Sequence, residues 1–140
     1  MIALRLVLDT NVIISAALRP DGLQRMALDI AITKPASLYV SQAIFAEYGE
    51  VLARRRFGIP RGERFQLLQL IKRRARWVSP NVAIRASGDE TDDKFLECAE
   101  AARADYLVTG NTRDFPRFWK GTKVVTAREF VEIVAPHRPV

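Results

Sequence analysis

In Ala3-Leu4-Arg5-Leu6-Val7-Leu8-Asp9-Thr10-Asn11-Val12-Ile13-Ile14-Ser15, a short apolar run ends abruptly on a carboxylate. Leu4 to Leu8 is short, continuous and apolar, the pattern of a strand buried inside a parallel sheet. Val12 to Leu18 reads as a helix starting just after it. A strand that ends at an acid and passes into a helix opens an α/β unit. The C-terminal ends of such strands are where open α/β sheets bind ligands.

Working outward, the same alternation continues. Arg19-Pro20-Asp21-Gly22 is a turn cluster, and Leu23 to Ile32 carries Met26, Ala27, Ile30 and Ala31 at helical spacing. Leu38-Tyr39-Val40 is a short strand, and Ser41 is a good N-cap for a helix from Gln42 to Arg54 with Ile44, Phe45, Tyr48, Val51 and Leu52 inward. Gly58-Ile59-Pro60 interrupts. Arg61 to Arg76 reads as an amphipathic helix with Phe65, Leu68, Ile71 and Ala75 inward. Trp77-Val78 and Val82-Ala83-Ile84 are weak strand candidates. Thr91 caps a helix from Asp92 to Ala104, and Tyr106 to Thr109 is a strong buried strand turned by Gly110-Asn111. Asp114 to Trp119 is expected as a short helix or turn, Lys123 to Val125 as a last strand, and Thr126 to Val134 as a last helix. Strands alternating with helices predict an α/β domain with a mainly parallel sheet.

Four acids are placed to meet at one edge of that sheet: Asp9 after the first strand, Glu47 beside the apolar stripe of its helix, Asp93 at a helix start, and Asp114 shortly after the strand ending at Thr109. Carboxylates that converge repel one another unless a cation neutralises them, and hard oxygen donors suit Mg²⁺ or Mn²⁺. Thr10 and Asn11 can hydrogen-bond a neighbouring carboxylate or a bound water. Plainer roles stand beside these. Asp, Thr and Asn all favour helix N-caps, and Asp89, Asp92 and Asp93 are favoured at a helix N-terminus by its dipole.

The chain of 140 residues is long enough to bury a core as one domain. Its composition, 49% hydrophobic and 27% charged, excludes disorder. No apolar stretch reaches the roughly 18 residues needed to span a bilayer, and the single cysteine, Cys98, excludes an intramolecular disulfide. The cytoplasm is the expected location. Between Arg54 and Arg76 nine basic residues face one acid, Glu63, so this segment carries +8 and the remainder −2 of the net +6. A basic block beside an acidic site suits a phosphodiester substrate, with arginines holding the polyanion. The block also reads as a solvated helix face.

Val7-Leu8-Asp9-Thr10-Asn11-Val12, Glu47 in its helix, Asp92-Asp93-Lys94-Phe95-Leu96-Glu97-Cys98-Ala99, and Leu107-Val108-Thr109-Gly110-Asn111 through Asp114-Phe115 together resemble the PIN domain, in order and at the right spacing. Within that family the chain is similar to the VapC-like ribonucleases, toxin components of toxin–antitoxin systems. The resemblance implies a three-layer α/β/α sandwich with a mainly parallel central sheet, here one PIN-like domain over residues 1–140. It implies metal-dependent endoribonuclease activity with Mg²⁺ or Mn²⁺ held by Asp9, Glu47, Asp93 and Asp114. Asp9 and Asp93 would be primary ligands, and Glu47 and Asp114 would act directly or through water. Asn11, Thr10, Thr109 and Asn111 are supporting residues, and Asp92 could replace or assist Asp93. Arg54, Arg55, Arg56, Arg73 and Arg74 would bind the RNA. The stretch from Arg54 to Arg85 carries no family motif. A protein antitoxin is the implied partner, and a homodimer is a further expectation, with the amphipathic Leu23–Ile32 offered as its surface. No membrane partner is expected.

Other readings fare less well. A haloacid-dehalogenase-type phosphatase needs an aspartate two positions after Asp9, where Asn11 stands. A dinucleotide-binding domain wants a glycine-rich turn after the first strand, and none is present. A PIN-like module that binds RNA or protein without cutting is the alternative from a different class. Cys98 reads as core and His137 as a tail residue. Trp77 and Trp119 read as packing or base-stacking residues, and Lys94 as a phosphate contact or a solvated lysine.

Overall fold

The computed structural model describes residues 3–80 and 93–134. Strand β1 (Arg5–Leu8) lies in the middle of the sheet. Leu6, Val7 and Leu8 are all 0% exposed. Successive strand side chains point to opposite faces, so both faces of β1 are covered. On one side β1 pairs in parallel with β2 (Ser37–Val40), and β2 with β3 (Arg76–Trp77). On the other side it pairs in parallel with β4 (Tyr106–Val108), in the register Leu6↔Tyr106, Val7↔Leu107, Leu8↔Val108. Beyond β4 come β6 (Thr122–Val125), parallel, and β5 (Phe118–Trp119), antiparallel to β6. The order is β3-β2-β1-β4-β6-β5. The chain therefore builds outward from β1 to β3 and returns to start the other half at β4. The direction reverses between β1 and β4, and the loops leaving those two strands diverge to open a crevice.

Among the described residues six helices cover the sheet: α1 (Thr10–Leu18), α2 (Leu23–Ala31), α3 (Gln42–Leu52), α4 (Arg61–Arg74), α5 (Asp93–Ala102) and α6 (Ala127–Val134). The result is the expected α/β/α sandwich with a mainly parallel sheet. Helix α5 packs across β1, β2 and β4, whereas α2 packs on α1, β1 and α6. The Ser41 hydroxyl caps α3 by accepting from the Ile44 N–H at 3.2 Å. Thr126 and Glu129 form a capping box at the start of α6, with bonds of 3.1 and 2.9 Å. Phe95, Cys98, Tyr48 and Phe130 are buried in the core. Among the described residues no helix is long and apolar enough to cross a membrane.

Three expectations change. Helix α4 does not bury Phe65, which is 64% exposed; Ile71 is buried and Leu68 and Ala75 pack partly against the core as expected, and Leu67 is buried beside them. Phe65→Ser should therefore leave the urea midpoint nearly unchanged, within about 0.5 kcal/mol, while Ile71→Ala should cost about 2–5 kcal/mol. Asp114 to Trp119 is not one turn: a short 3₁₀ turn, Thr112–Asp114, is followed by β5. The apolar side of α2 is occupied by α1, α6 and β1, so it is not a free surface for a second copy. Val82-Ala83-Ile84, Asp89, Thr91, Asp92 and His137 lie outside the described residues.

Candidate active site

Asp9 is the first residue beyond β1, at the reversal between β1 and β4. Its backbone N–H donates to the Val108 carbonyl at 2.9 Å, extending the ladder by one bond. Its side chain is pinned from both strands. Oδ2 accepts from the Thr109 hydroxyl, just beyond β4, at 2.7 Å and from the Asn11 amide at 3.1 Å. The residue is only 6% exposed. Burial pushes its carboxyl above the usual aspartate range, the hydrogen bonds from Thr109 and the Thr10 backbone pull it back, and the nearby charges of Glu47 and Asp114 push it up again. Asn11 also closes the β4 loop, because its Oδ1 accepts from the Gly110 N–H at 3.0 Å. A Cβ at position 110 would stand 3.4 Å from that oxygen, so glycine permits the close approach.

Glu47 lies half-buried on α3, with both carboxylate oxygens engaged. The Thr10 hydroxyl donates to Oε2, and the Lys94 ammonium pairs with Oε1 at 2.6 Å. The next residue, Tyr48, is fully buried and donates its phenol to the Leu8 carbonyl, fixing α3 against the end of β1. Burial pushes the Tyr48 phenol well up, so it stays protonated and donating at neutral pH. Asp114 sits in the 3₁₀ turn and accepts from the Asn111 side-chain amide, while the Asn111 N–H donates to the Thr109 hydroxyl at 3.0 Å. Asp93, 5% exposed, begins α5, which packs on β1 and α3. The reach of its neighbour Lys94 to Glu47 brings the start of α5 to this edge.

Asp9, Glu47 and Asp114 line one open cleft of about 520 Å³, together with Arg54, Arg56 and Phe57. Every acidic donor there is a carboxylate oxygen, the chemistry of a hard divalent ion. Among the described residues no three acids stand close enough to wrap one ion directly. That arrangement still fits Mg²⁺, which holds its waters and commonly takes only one or two carboxylates. The cluster therefore suits an ion bound partly through water, with Glu47 and Asp114 outside the innermost shell or reaching it by small side-chain movements.

The expected arginines divide. Arg54 and Arg56 line the acidic cleft; Arg54 is paired with Glu50 at 3.2 Å, and the Arg56 guanidinium lies over the Phe57 ring at 4.9 Å. Arg55 is exposed in the 3₁₀ turn between α3 and α4. Arg73 and Arg74 line a second cleft with Lys34 and Ser37, at the starting end of β2 and so at the opposite edge of the sheet. Trp77 packs on Phe45, their rings 5.1 Å apart. Phe57 is a site residue that pattern reading left unassigned, and Lys94 was read as a phosphate contact or a solvated lysine, not as the partner of Glu47. The aromatic at the end of Arg54-Arg55-Arg56-Phe57 was the available signal for the first. For the second, only adjacency to Asp93 marked it.

The PIN domain family profile matches residues 5–113, ending one residue before Asp114. The chain belongs to the PIN domain family. PIN domains are generally nucleases and generally use a divalent metal. Over 143 aligned residues this PIN domain is 28% identical to the uncharacterized protein MJ1680 of Methanocaldococcus jannaschii, covering 94% of this chain and 92% of that one. Its fold is similar to that in the crystal structure of VapBC2 from Rickettsia felis bound to a DNA fragment from their promoter. The TM-score is 0.58 at 15% identity, over 86% of this chain and 96% of that one.

Proposed function

We propose that this PIN domain is a metal-dependent endoribonuclease, the toxin of a toxin–antitoxin pair, working in the cytoplasm under the control of a protein antitoxin. The observation that carries the catalytic reading is Asp9: a carboxylate 6% exposed at the reversal of the sheet, held by Thr109 and Asn11, with Glu47 and Asp114 near enough to raise its pKa. Isolated buried charge is costly, and a divalent ion relieves both the burial and the repulsion. The antitoxin reading is supported by the fold shared with the VapBC2 structure.

When bound, Mg²⁺ or Mn²⁺ supplies Lewis acidity, making water nucleophilic near neutral pH and neutralising charge on the phosphate under attack. Asp9 and Asp93 would hold it. Glu47 and Asp114 would complete the site directly or through water, with Asp92, next to Asp93 in the sequence, as a further oxygen donor. Asn11 and Thr109 keep the Asp9 carboxylate aimed, and Asn111 does the same for Asp114. Arg54, Arg55 and Arg56 would track the RNA backbone along the cleft, and the Phe57 face offers a surface for a base. Arg73 and Arg74, at the far edge, would hold a distal part of a longer RNA.

The direct test is cleavage of a mixed RNA pool in Mn²⁺, in Mg²⁺ and in EDTA, with Asp93→Asn alongside. Cutting that needs metal and disappears in the variant is the expected result. RNA bound but uncut under every condition would instead identify a binding module. A second measurement addresses the arginines: Arg56→Ala should weaken RNA binding across sequences and lower the salt-dependence slope by about one unit. An unchanged slope removes Arg56 from the interface.

A further inference from the structure

Lys94 is the cation nearest the acidic cluster in the described residues, and the proposed function leaves it without a task. Its ammonium sits 2.6 Å from Glu47 Oε1, with the lysine side chain 22% exposed and the glutamate 21%. The other Glu47 oxygen is held by the Thr10 hydroxyl. The two cations that line the cleft itself are engaged elsewhere, Arg54 with Glu50 and Arg56 over Phe57. An ammonium and a divalent ion on the same carboxylate oxygen repel each other in a partly buried site, so each weakens the other's hold. Lys94 and the metal are therefore competitors for Glu47. A phosphodiester entering the cleft offers the ammonium another anion, and the flexible four-carbon stem of lysine lets it follow.

We propose that Lys94 couples metal binding to nucleic-acid binding: the substrate phosphate draws the ammonium off Glu47 and frees that carboxylate for the divalent ion. This rests on the reading of Glu47 as a residue that helps hold the metal. Metal and nucleic acid then strengthen each other by the same factor, as linkage requires. The protein without nucleic acid takes up metal weakly, and occupancy tightens where there is a bond to cut. Lys94 is a positioning residue in this scheme, acting through Glu47.

The test is a Mn²⁺ titration read as free ion by electron paramagnetic resonance. It is run with and without a short single-stranded oligonucleotide carrying 2′-O-methyl sugars and phosphorothioate links, checked as intact afterwards. The oligonucleotide's own Mn²⁺ uptake is subtracted. In the natural chain the oligonucleotide should tighten Mn²⁺ by about fivefold or more, a typical coupling. Lys94→Met should bind Mn²⁺ about tenfold tighter than the natural chain without oligonucleotide, a gain expected of removing one competing charge, and should gain little more when it is added. Lys94→Gln provides the same comparison if the Met variant is misfolded by circular dichroism. Equal Mn²⁺ affinity in the natural and variant chains, or an oligonucleotide effect that survives in the variant, overturns the coupling while leaving the nuclease reading standing. A natural chain that takes up no Mn²⁺ in either condition, with the RNA pool uncut, overturns both.

Discussion

Asp9→Asn is expected to abolish metal-dependent cleavage and at the same time to raise the melting temperature. Burial first, and then Glu47 and Asp114, hold the Asp9 carboxyl above its ordinary value. A carboxyl whose pKa is higher in the folded chain than in the unfolded one favours folding while it is protonated. That contribution is complete below the unfolded pKa, near 3.8, and is lost as pH rises through the folded value. At neutral pH ionised Asp9 therefore costs stability, and a neutral side chain of the same shape removes the cost. In EDTA at pH 7 the variant should melt higher than the natural chain. Near pH 3 the gain should vanish, because the natural residue is then protonated too. Cleavage should fall by more than the roughly 10–100-fold typical of losing an outer partner. Calorimetry at the two pH values checks the first part and the RNA assay the second. A variant that melts lower at pH 7 would show that Asp9 is a structural cap, held for its hydrogen bonds alone.

Thr109→Val should damage the site from one residue further back. Thr109 is fully buried; its hydroxyl donates to Asp9 Oδ2 at 2.7 Å and accepts the Asn111 N–H at 3.0 Å. Valine keeps the volume beside β4 and loses both bonds. The Thr109 bond lowers the Asp9 pKa, so its loss raises that pKa further and moves the acid limb of the pH–rate profile upward. Asn111, no longer tethered, also holds Asp114 less firmly. Metal affinity should drop by about 10–100-fold, as when an outer-shell hydrogen bond to a ligand is removed. Thr109→Ser, which retains the hydroxyl, should stay close to the natural chain. A valine variant with an unmoved acid limb would mean that Asp9 is not the group whose ionisation limits the rate.

The sheet's interior was readable because its strands are written locally. Leu6 to Leu8, Leu38 to Val40 and Tyr106 to Val108 are apolar without interruption, as strands covered on both faces must be. Asp9 stood out because a carboxylate follows one of those runs without a spacer. Ser41 was legible as a cap for the same reason: its bond to Ile44 spans three residues. The partners inside the site were not legible. Glu47 meets Thr10 and Lys94, and Asn11 meets Gly110, across separations of 37, 47 and 99 residues. No local pattern encodes such pairings; they follow from which strands become neighbours. β5 has two residues, too few for alternation to show, and only its pairing with β6 makes it a strand. In α4 the helical spacing marked Phe65 as inward, yet it is 64% exposed, while Leu67 is buried.

The seam between β1 and β4 joins positions 100 residues apart, Asp9 to Thr109. During synthesis the ribosome delivers β1 to β3 and α1 to α5 before Thr109, the residue that holds Asp9 from the end of β4. Until then the edge of β1 that β4 will cover has no partner, the Asp9 carboxylate has no hydroxyl to aim it, and Asp114 does not yet exist in the chain. Contacts this distant also form late in folding. The edge proposed to act on RNA therefore stays incomplete until β4, the fourth of the six described strands, has left the ribosome.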